Sequence, residues 1–213
     1  HSLDLAPGSK VLDVGCGPGR HLREFAAAGI DVVGVDISES FCRLARRELG
    51  PPSVAPAAVV VGDARALPVG SAFDAVISLC QGGFGLLGGP GAPIDADRRA
   101  VAEMASCLAP GGRLVLSAFS AYFQVRHQAD LDDATFDVEA GVMHERTSIR
   151  DPAGVEAPAD LWTTGFTPRE LRFLAASAGL VPEAIYSVEP GDYAARPPEL
   201  DHAEFLLIAR RPA

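Results

Sequence analysis

Over the first 119 residues, short apolar runs alternate with longer stretches that carry an apolar stripe at helical spacing. Val11 to Val14 is a short run that stops at a glycine turn, and it predicts a buried strand. Arg20 to Ala28 places Leu22, Phe25 and Ala26 on one helical face and ends at Gly29. Asp31 to Asp36 is a second strand. Ser38 can cap a helix carrying Phe41, Leu44, Ala45 and Leu49, which Gly50-Pro51 closes. Ala57 to Val61 and Phe73 to Leu79 read as a third and a fourth strand. Asp95 to Leu108 reads as a helix with Val101, Met104, Ala105 and Leu108 inward. Pro110-Gly111-Gly112 then turns the chain into a fifth strand, Arg113 to Phe119.

Strands that alternate with helices predict a mostly parallel sheet covered on both faces, with ligands bound beyond the carboxyl ends of the strands. Asp36, Asp63, Cys80 and the turn at Gly15 all fall at such ends. The pattern changes after residue 119. Ser120 to Gly165 is polar, is broken by Pro152 and Pro158, and shows no helical stripe. Weak alternation over Phe136 to Arg150 and a turn signal at Asp151-Pro152-Ala153-Gly154 predict a β-hairpin laid over the strand ends. Thr167-Pro168-Arg169-Glu170 is a capping box with proline at the first helical position, so a helix begins there and runs to Ala178. Ala184 to Val188 and Glu204 to Arg210 are two further strands. The Pro- and Gly-rich connection between them holds no helix, so they pair antiparallel.

Composition narrows the function classes. The chain has 213 residues with 48% hydrophobic and 22% charged, which suits one globular domain. No apolar run is long enough to cross a bilayer, and no signal-peptide pattern opens the chain. A formal net charge of −10 argues against a nucleic-acid partner, because such binding neutralises phosphates with Lys and Arg. The clusters Arg43/Arg46/Arg47 and Arg98/Arg99 read as solvated helix faces. Cys16, Cys42, Cys80 and Cys107 are scattered, which fits reduced thiols and a cytoplasmic location rather than a zinc site or a disulfide framework.

The densest chemistry lies between Asp13 and Asp36. The turn reads Asp13-Val14-Gly15-Cys16-Gly17-Pro18-Gly19-Arg20, and Asp36 ends the next strand. An acidic residue about 20 positions after a glycine turn suits the adjacent hydroxyls of a ribose, so the residues alone predict an adenosine-containing ligand. A dinucleotide fingerprint would need a glycine where Arg20 stands, which sets a nicotinamide enzyme aside. Five motifs in order (Val11 to Gly19, Asp36, Gly62-Asp63-Ala64, Phe73 to Val76 and Leu108 to Gly112) resemble the class I, seven-stranded S-adenosylmethionine-dependent methyltransferases of the small-molecule type.

The resemblance implies an α/β three-layer sandwich. Its sheet is mostly parallel and seven-stranded with an antiparallel last strand, and a lid-like insertion lies between strand five and the last helix. One domain then spans 1–213, with a cofactor-binding half at 1–119, a substrate lid at 120–166, and the last helix and antiparallel pair at 167–213. It implies S-adenosylmethionine as cofactor and S-adenosylhomocysteine as product. Gly15, Cys16, Gly17 and Gly19 would form the cradle, with Gly15 and Gly17 admitting the ligand closely. Asp13 would order the loop and meet the methionyl end, with a purely structural role as the alternative. Asp36 would hold both ribose hydroxyls, and Ile37 would lie on the adenine. Asp63 would accept from the adenine amino group and Ala64 would give a backbone N–H, or Asp63 would be only a turn residue or helix cap. Leu79 completes the cofactor-binding set.

The acceptor half is expected from the loop after strand four, the insertion and the segment near 190–202, with Gln81, Phe84 and Tyr122 as substrate contacts. The loop lacks the Asn/Asp-Pro-Pro-Tyr/Phe sequence of the amino-methylating enzymes of DNA and protein. No paired acidic ligands follow strand five, so no metal is expected. His127 and His144 are the candidate bases, with surface roles as the alternative. Methyl transfer from a sulfonium is a direct displacement that positioning alone can accelerate, and a base is needed only for a protonated acceptor. The expected activity is transfer to O or N of a small molecule, by a monomer or homodimer. The competing class is a cofactor-binding partner or regulatory subunit without catalysis. Only about nine residues precede Lys10, where family members usually carry one or two helices, so an open site is expected.

Overall fold

The computed structural model describes residues 3–49, 56–80, 82–130, 133–150, 154–189 and 191–213. Gln81, the Gly50-Pro51 helix stop and the first three residues of the turn at 151–154 lie outside the described residues. The predicted alternation holds. Strands β1 (Lys10–Val14), β2 (Asp31–Asp36), β3 (Ala57–Val61), β4 (Phe73–Ser78) and β5 (Leu108–Ser120) alternate with helices α1 (Arg20–Ala27), α2 (Glu39–Leu49) and α3 (Ala96–Cys107), except that β3 leads to β4 without a helix. After β5 come α4 (Ala121–His127), a short 3-10 helix (Gln128–Asp130), β6 (Ala134–Asp137), β7 (Val142–Arg150) and β8 (Glu156–Phe166). Helix α5 (Pro168–Ser177) then leads to β9 (Val181–Glu189), β10 (Asp192–Arg196) and β11 (Glu204–Arg210).

The main sheet runs β10-β9-β11-β5-β4-β1-β2-β3. Strands β1 to β5 are parallel, with Val11 opposite both Val32 and Ala75, while β11 is antiparallel to β5 and to β9. The parallel strands carry apolar residues on both faces, because helices cover both. On one face Leu12, Val14, Val76, Leu114 and Leu207 pack with Ala100, Met104, Leu171 and Ala175 of α3 and α5. On the other, Val11, Ile77, Val115 and Leu206 pack with Leu22, Ala26, Cys42 and Ala45 of α1 and α2. This is the expected three-layer sandwich with its antiparallel last strand. The edge strand β10 is an addition, in a segment read from sequence as loop.

The insertion departs from the sequence reading in two ways. A helix, α4, opens it, with Ser120 Oγ accepting from the Phe123 N–H. The stretch 136–150 also splits at Gly141, whose φ is +67°, into β6 and β7. Strand β8 pairs with β7 along its length and joins the main sheet parallel to β5, with Phe119 opposite Gly165. The capping box is formed as predicted: Thr167 Oγ1 accepts from the Glu170 N–H at 3.2 Å, and Glu170 Oε2 accepts from the Thr167 N–H at 2.6 Å. Thr167→Ala leaves the Glu170 N–H without its acceptor, and is expected to lower stability by about 1 kcal/mol in urea unfolding at unchanged m-value.

Candidate functional site

The carboxyl ends of β1, β2 and β4 converge on the glycine turn. Gly15, Gly17 and Gly19 have φ of +75°, +53° and +88°. The Gly15 and Cys16 N–H groups both donate to the Val35 carbonyl, at 2.7 and 3.1 Å, which fixes the turn against β2. Asp36 ends β2 with only 7% of its surface exposed. Its Oδ2 accepts from the Gly17 N–H and its Oδ1 from the Ser38 N–H, both at 2.8 Å. Each oxygen keeps a free lone pair, so the carboxylate can still accept from two adjacent hydroxyls. Ile37 beside it is a large apolar side chain with 69% of its surface exposed, which suits a flat ring laid against it.

A matched pair of unmet groups sits at the turn. The cap of α1, Gly19, provides no side-chain hydrogen bond to the first-turn N–H groups, which leaves them for an anion. Below it, Asp13 is 1% exposed, and its Oδ2 has no hydrogen-bond donor among the described residues. Burial pushes the Asp13 carboxyl up, and His21 and Arg20 oppose that. His21 Nδ1 lies 3.6 Å from Asp13 Oδ2, an electrostatic contact longer than a hydrogen bond. Donors at a helix start beside an unmet carboxylate suit the carboxylate and ammonium of an amino acid, and hence the methionyl end of S-adenosylmethionine. Burial also pushes the Cys16 thiol up, which makes it a packing residue rather than a nucleophile.

The segment after β4 rests directly on this turn. A Cβ on Gly15 would lie 2.0 Å from the Gly82 carbonyl carbon, and one on Gly82 would lie 2.1 Å from the Gly15 oxygen. The segment is held on its other side as well, since Gly85 N–H donates to Asp97 Oδ1 and Gly85 O accepts from the Thr164 N–H, both at 2.8 Å. At its start Cys80 adopts φ +55°, and its Sγ meets the Arg20 guanidinium and, at 3.5 Å, the Tyr193 hydroxyl of β10.

The sequence-derived residues divide. The structure gathers Asp13, Gly15, Cys16, Gly17, Gly19, Asp36 and Ile37 around the turn. Leu79 is partly buried on the α1 side of the sheet. Asp63 follows β3, and Ala64 packs partly buried against the core. Asp63 is engaged by its neighbour: Oδ1 accepts from the Arg65 N–H at 2.8 Å, and Oδ2 accepts from Arg65 Nη2 at 2.6 Å. The Arg65 hydrogen bond holds the Asp63 carboxyl below the usual carboxylate range. A depressed folded-state value means stability that is present above the ordinary carboxylate range and is lost as pH falls through the folded value. The pair is partly exposed, so Asp63→Asn should cost at most about 1 kcal/mol at neutral pH. That difference should vanish in acid, as read from urea midpoints at the two pH values.

Phe84 requires a correction. It has no exposed surface and stacks on Phe166 with ring centroids 4.6 Å apart, so it is a core residue and not a substrate contact. With Gly82 and Gly83 pinned on β1, the next side chain turns into the core. Tyr122 is half-exposed, with its ring edge-on to Phe205 at 6.4 Å. The two candidate bases are not brought to the turn. His127 packs on Phe123 at the last turn of α4. His144 stacks on Trp162 and bonds Asp160 at 2.7 Å, in a cavity of about 450 Å³ that shares no residue with the glycine turn. The histidine that does lie there is His21, which the sequence reading passed over. Its signal was its place in the first turn of the helix that follows the glycines, next to Arg20.

Comparison with known proteins finds similar sequences and folds. Residues 11–112 match a family described as "Methyltransferase domain". The demethylmenaquinone methyltransferase of Renibacterium salmoninarum is 36% identical over 120 residues, covering 56% of this chain and 45% of that protein. The dTDP-4-amino-2,3,4,6-tetradeoxy-D-glucose N,N-dimethyltransferase of Saccharopolyspora spinosa is 33% identical over 53% of this chain and 41% of its own length. The chain thus spans less than half the length of these curated relatives. Among solved structures, the CcbJ methyltransferase from Streptomyces caelestis superposes with a TM-score of 0.77 over 98% of this chain and 86% of that one, at 21% identity. S-adenosylmethionine-bound CalS10, an amino pentose methyltransferase from Micromonospora echinaspora, gives 0.61 over 96% and 84%, at 27% identity. Residues 11–112 thus match a methyltransferase domain, and the fold over nearly the whole chain is that of these methyltransferase structures.

Proposed function

We propose that the chain transfers a methyl group from S-adenosylmethionine to an oxygen or nitrogen of a small-molecule acceptor. The observation that carries this reading is the Asp36 carboxylate, which is fixed by the Gly17 and Ser38 N–H groups and retains two acceptor lone pairs beside an uncapped helix start. In this reading Asp36 holds the ribose and Ile37 covers the adenine. Asp63 and Ala64 meet the adenine edge, while Asp13 and the α1 N-terminus bind the methionyl end. The bound sulfonium supplies the activated methyl group. The protein contributes alignment of the acceptor with the S–CH₃ bond, and exclusion of water.

The relatives named for demethylmenaquinone and for an amino-sugar nucleotide support a small acceptor. The net charge of −10 supports an acceptor other than nucleic acid. Among the described residues no helix is long and apolar enough to cross a membrane. A cytoplasmic monomer or homodimer belongs to the same proposal. Calorimetric titration with S-adenosylmethionine and S-adenosylhomocysteine tests the first half. Product release from a hydroquinone and an amino-sugar nucleotide tests the second. A chain that binds neither nucleoside sinks the proposal, and a chain that binds both without turnover points to the non-catalytic partner.

A further inference from the structure

A cavity of about 480 Å³, within the range of small-molecule sites, lies on the face of the sheet that carries α3 and α5. Three elements wall it: the start of α3 with the residue before its cap, the turn between β6 and β7, and the outer side of α5. Its lining runs from residue 94 to residue 177, and it shares no residue with the glycine turn. Ile94, Val138 and Phe173, one from each wall, leave 85%, 86% and 60% of their surface exposed. Single exposed apolar side chains are ordinary, but three from separate elements around one concave mouth mark a surface that an apolar ligand can cover.

The polar groups of the cavity are acidic. Asp97 lines it with only 8% of its surface exposed. Its Oδ1 accepts from the Gly85 N–H at 2.8 Å, and the carboxyl also bonds the Thr164 hydroxyl, which lines the cavity too. Both donors are neutral, and the start of α3 adds only a partial positive charge. Arg98 and Arg99, next on α3, turn instead to Asp95, at 2.8 and 3.1 Å. Glu139 and Glu170 line the cavity as well, and among the described residues none of the three carboxylates has an ion pair with a basic side chain. Burial pushes the Asp97 carboxyl up, and the Gly85 N–H and the Thr164 hydroxyl oppose that. Buried charges are ordinarily paired, and this one lacks its cation.

We propose that this cavity binds a small organic cation with an apolar body, of the arylalkylammonium class. The ammonium group meets Asp97, and the apolar body covers Ile94, Val138 and Phe173. Through Gly85, Asp97 also anchors the segment that rests on the glycine turn, so the occupant stabilises the same anchor. The site is separate from the one proposed for S-adenosylmethionine and stands whether or not that reading holds.

The test titrates the full chain by calorimetry with 4-phenylbutylammonium and with 4-phenylbutanol, which has the same shape without the charge. Saturable binding of the ammonium is expected, tighter than the alcohol by roughly tenfold or more. Asp97→Asn keeps an oxygen for the Gly85 N–H and should abolish that preference. Phe173→Ala, at a mostly exposed position of α5, should weaken both probes by about threefold or more and leave the preference intact. Thermal unfolding without ligand shows that each variant folds, and the wild-type melting temperature should rise with the ammonium. Absence of saturable binding overturns the site. Equal affinity of the wild-type chain for the two probes overturns the cation, whatever becomes of Asp97→Asn. A preference that survives in folded Asp97→Asn, or binding that Phe173→Ala leaves unchanged, overturns the location.

Discussion

Gly15→Ala is expected to destabilise the chain by on the order of 3 kcal/mol and to weaken cofactor binding at least a hundredfold. Two costs combine. At φ +75° an L side chain is strained by about 1 kcal/mol, and the new methyl would lie 2.0 Å from the Gly82 carbonyl carbon and 2.3 Å from the Gly83 nitrogen. Those neighbours are backbone and cannot rotate away. They are also tied onward, through Gly85 to Asp97 and Thr164, so the clash spreads into the segment that meets β8. Gly17→Ala is the control. Its φ is +53°, but its added methyl meets nothing within 4 Å, so only the conformational cost of about 1 kcal/mol applies. For a chain of this size the melting temperature should fall by roughly 6–12 °C for Gly15→Ala and by a third of that for Gly17→Ala. Equal losses for the two variants would show that the contact between the β4 segment and the glycine turn does not exist in solution.

That contact also marks where the sequence stops being legible. The alternation of apolar runs and amphipathic stripes located β1 to β5, α1 to α3 and α5, because a doubly covered parallel sheet writes its burial into local periodicity. Asp36 was legible for the same reason: its distance from the glycine turn is set by one helix and one strand of ordinary length. The glycine motif at 82–83 was visible only as a loop. What requires those glycines is Gly15 against Gly82 and Val14 against Gly83, 67 and 69 positions away, and no local pattern carries such a contact. Phe84 was misread on the same account, since a phenylalanine in a polar loop looks like a ligand contact until the packing against Phe166 is seen. His127 and His144 were chosen for lying in the insertion, and each is instead held by an aromatic neighbour. Tyr193 reaches Cys80 from a strand 113 residues downstream, in a segment whose prolines and glycines concealed β10.

Asp36→Asn is expected to weaken S-adenosylhomocysteine binding by about a hundredfold, with most of the loss tied to the ribose hydroxyls. The side chain serves both structure and ligand. One oxygen holds the Gly17 N–H and the other the Ser38 N–H, each at 2.8 Å. An asparagine has one acceptor oxygen and one NH₂ group, so it must set two donors face to face at Gly17 or at Ser38, and it presents a single acceptor to the ribose. A hydrogen bond to a charged group contributes about 1.5–3 kcal/mol, so one lost ribose contact alone corresponds to roughly a tenfold to hundredfold change in affinity. A double-mutant cycle separates the two roles. S-adenosylhomocysteine and its 2′-deoxy analogue are titrated against wild type and Asp36→Asn, with thermal unfolding recorded for both proteins. The wild-type chain should prefer the ribose form by at least about tenfold, and the variant should scarcely discriminate. The structural role predicts instead that both ligands weaken equally, together with a lowered melting temperature. Discrimination that survives intact in Asp36→Asn would remove this carboxylate from the ribose site. It would also remove the observation on which the methyltransferase reading of this chain chiefly rests.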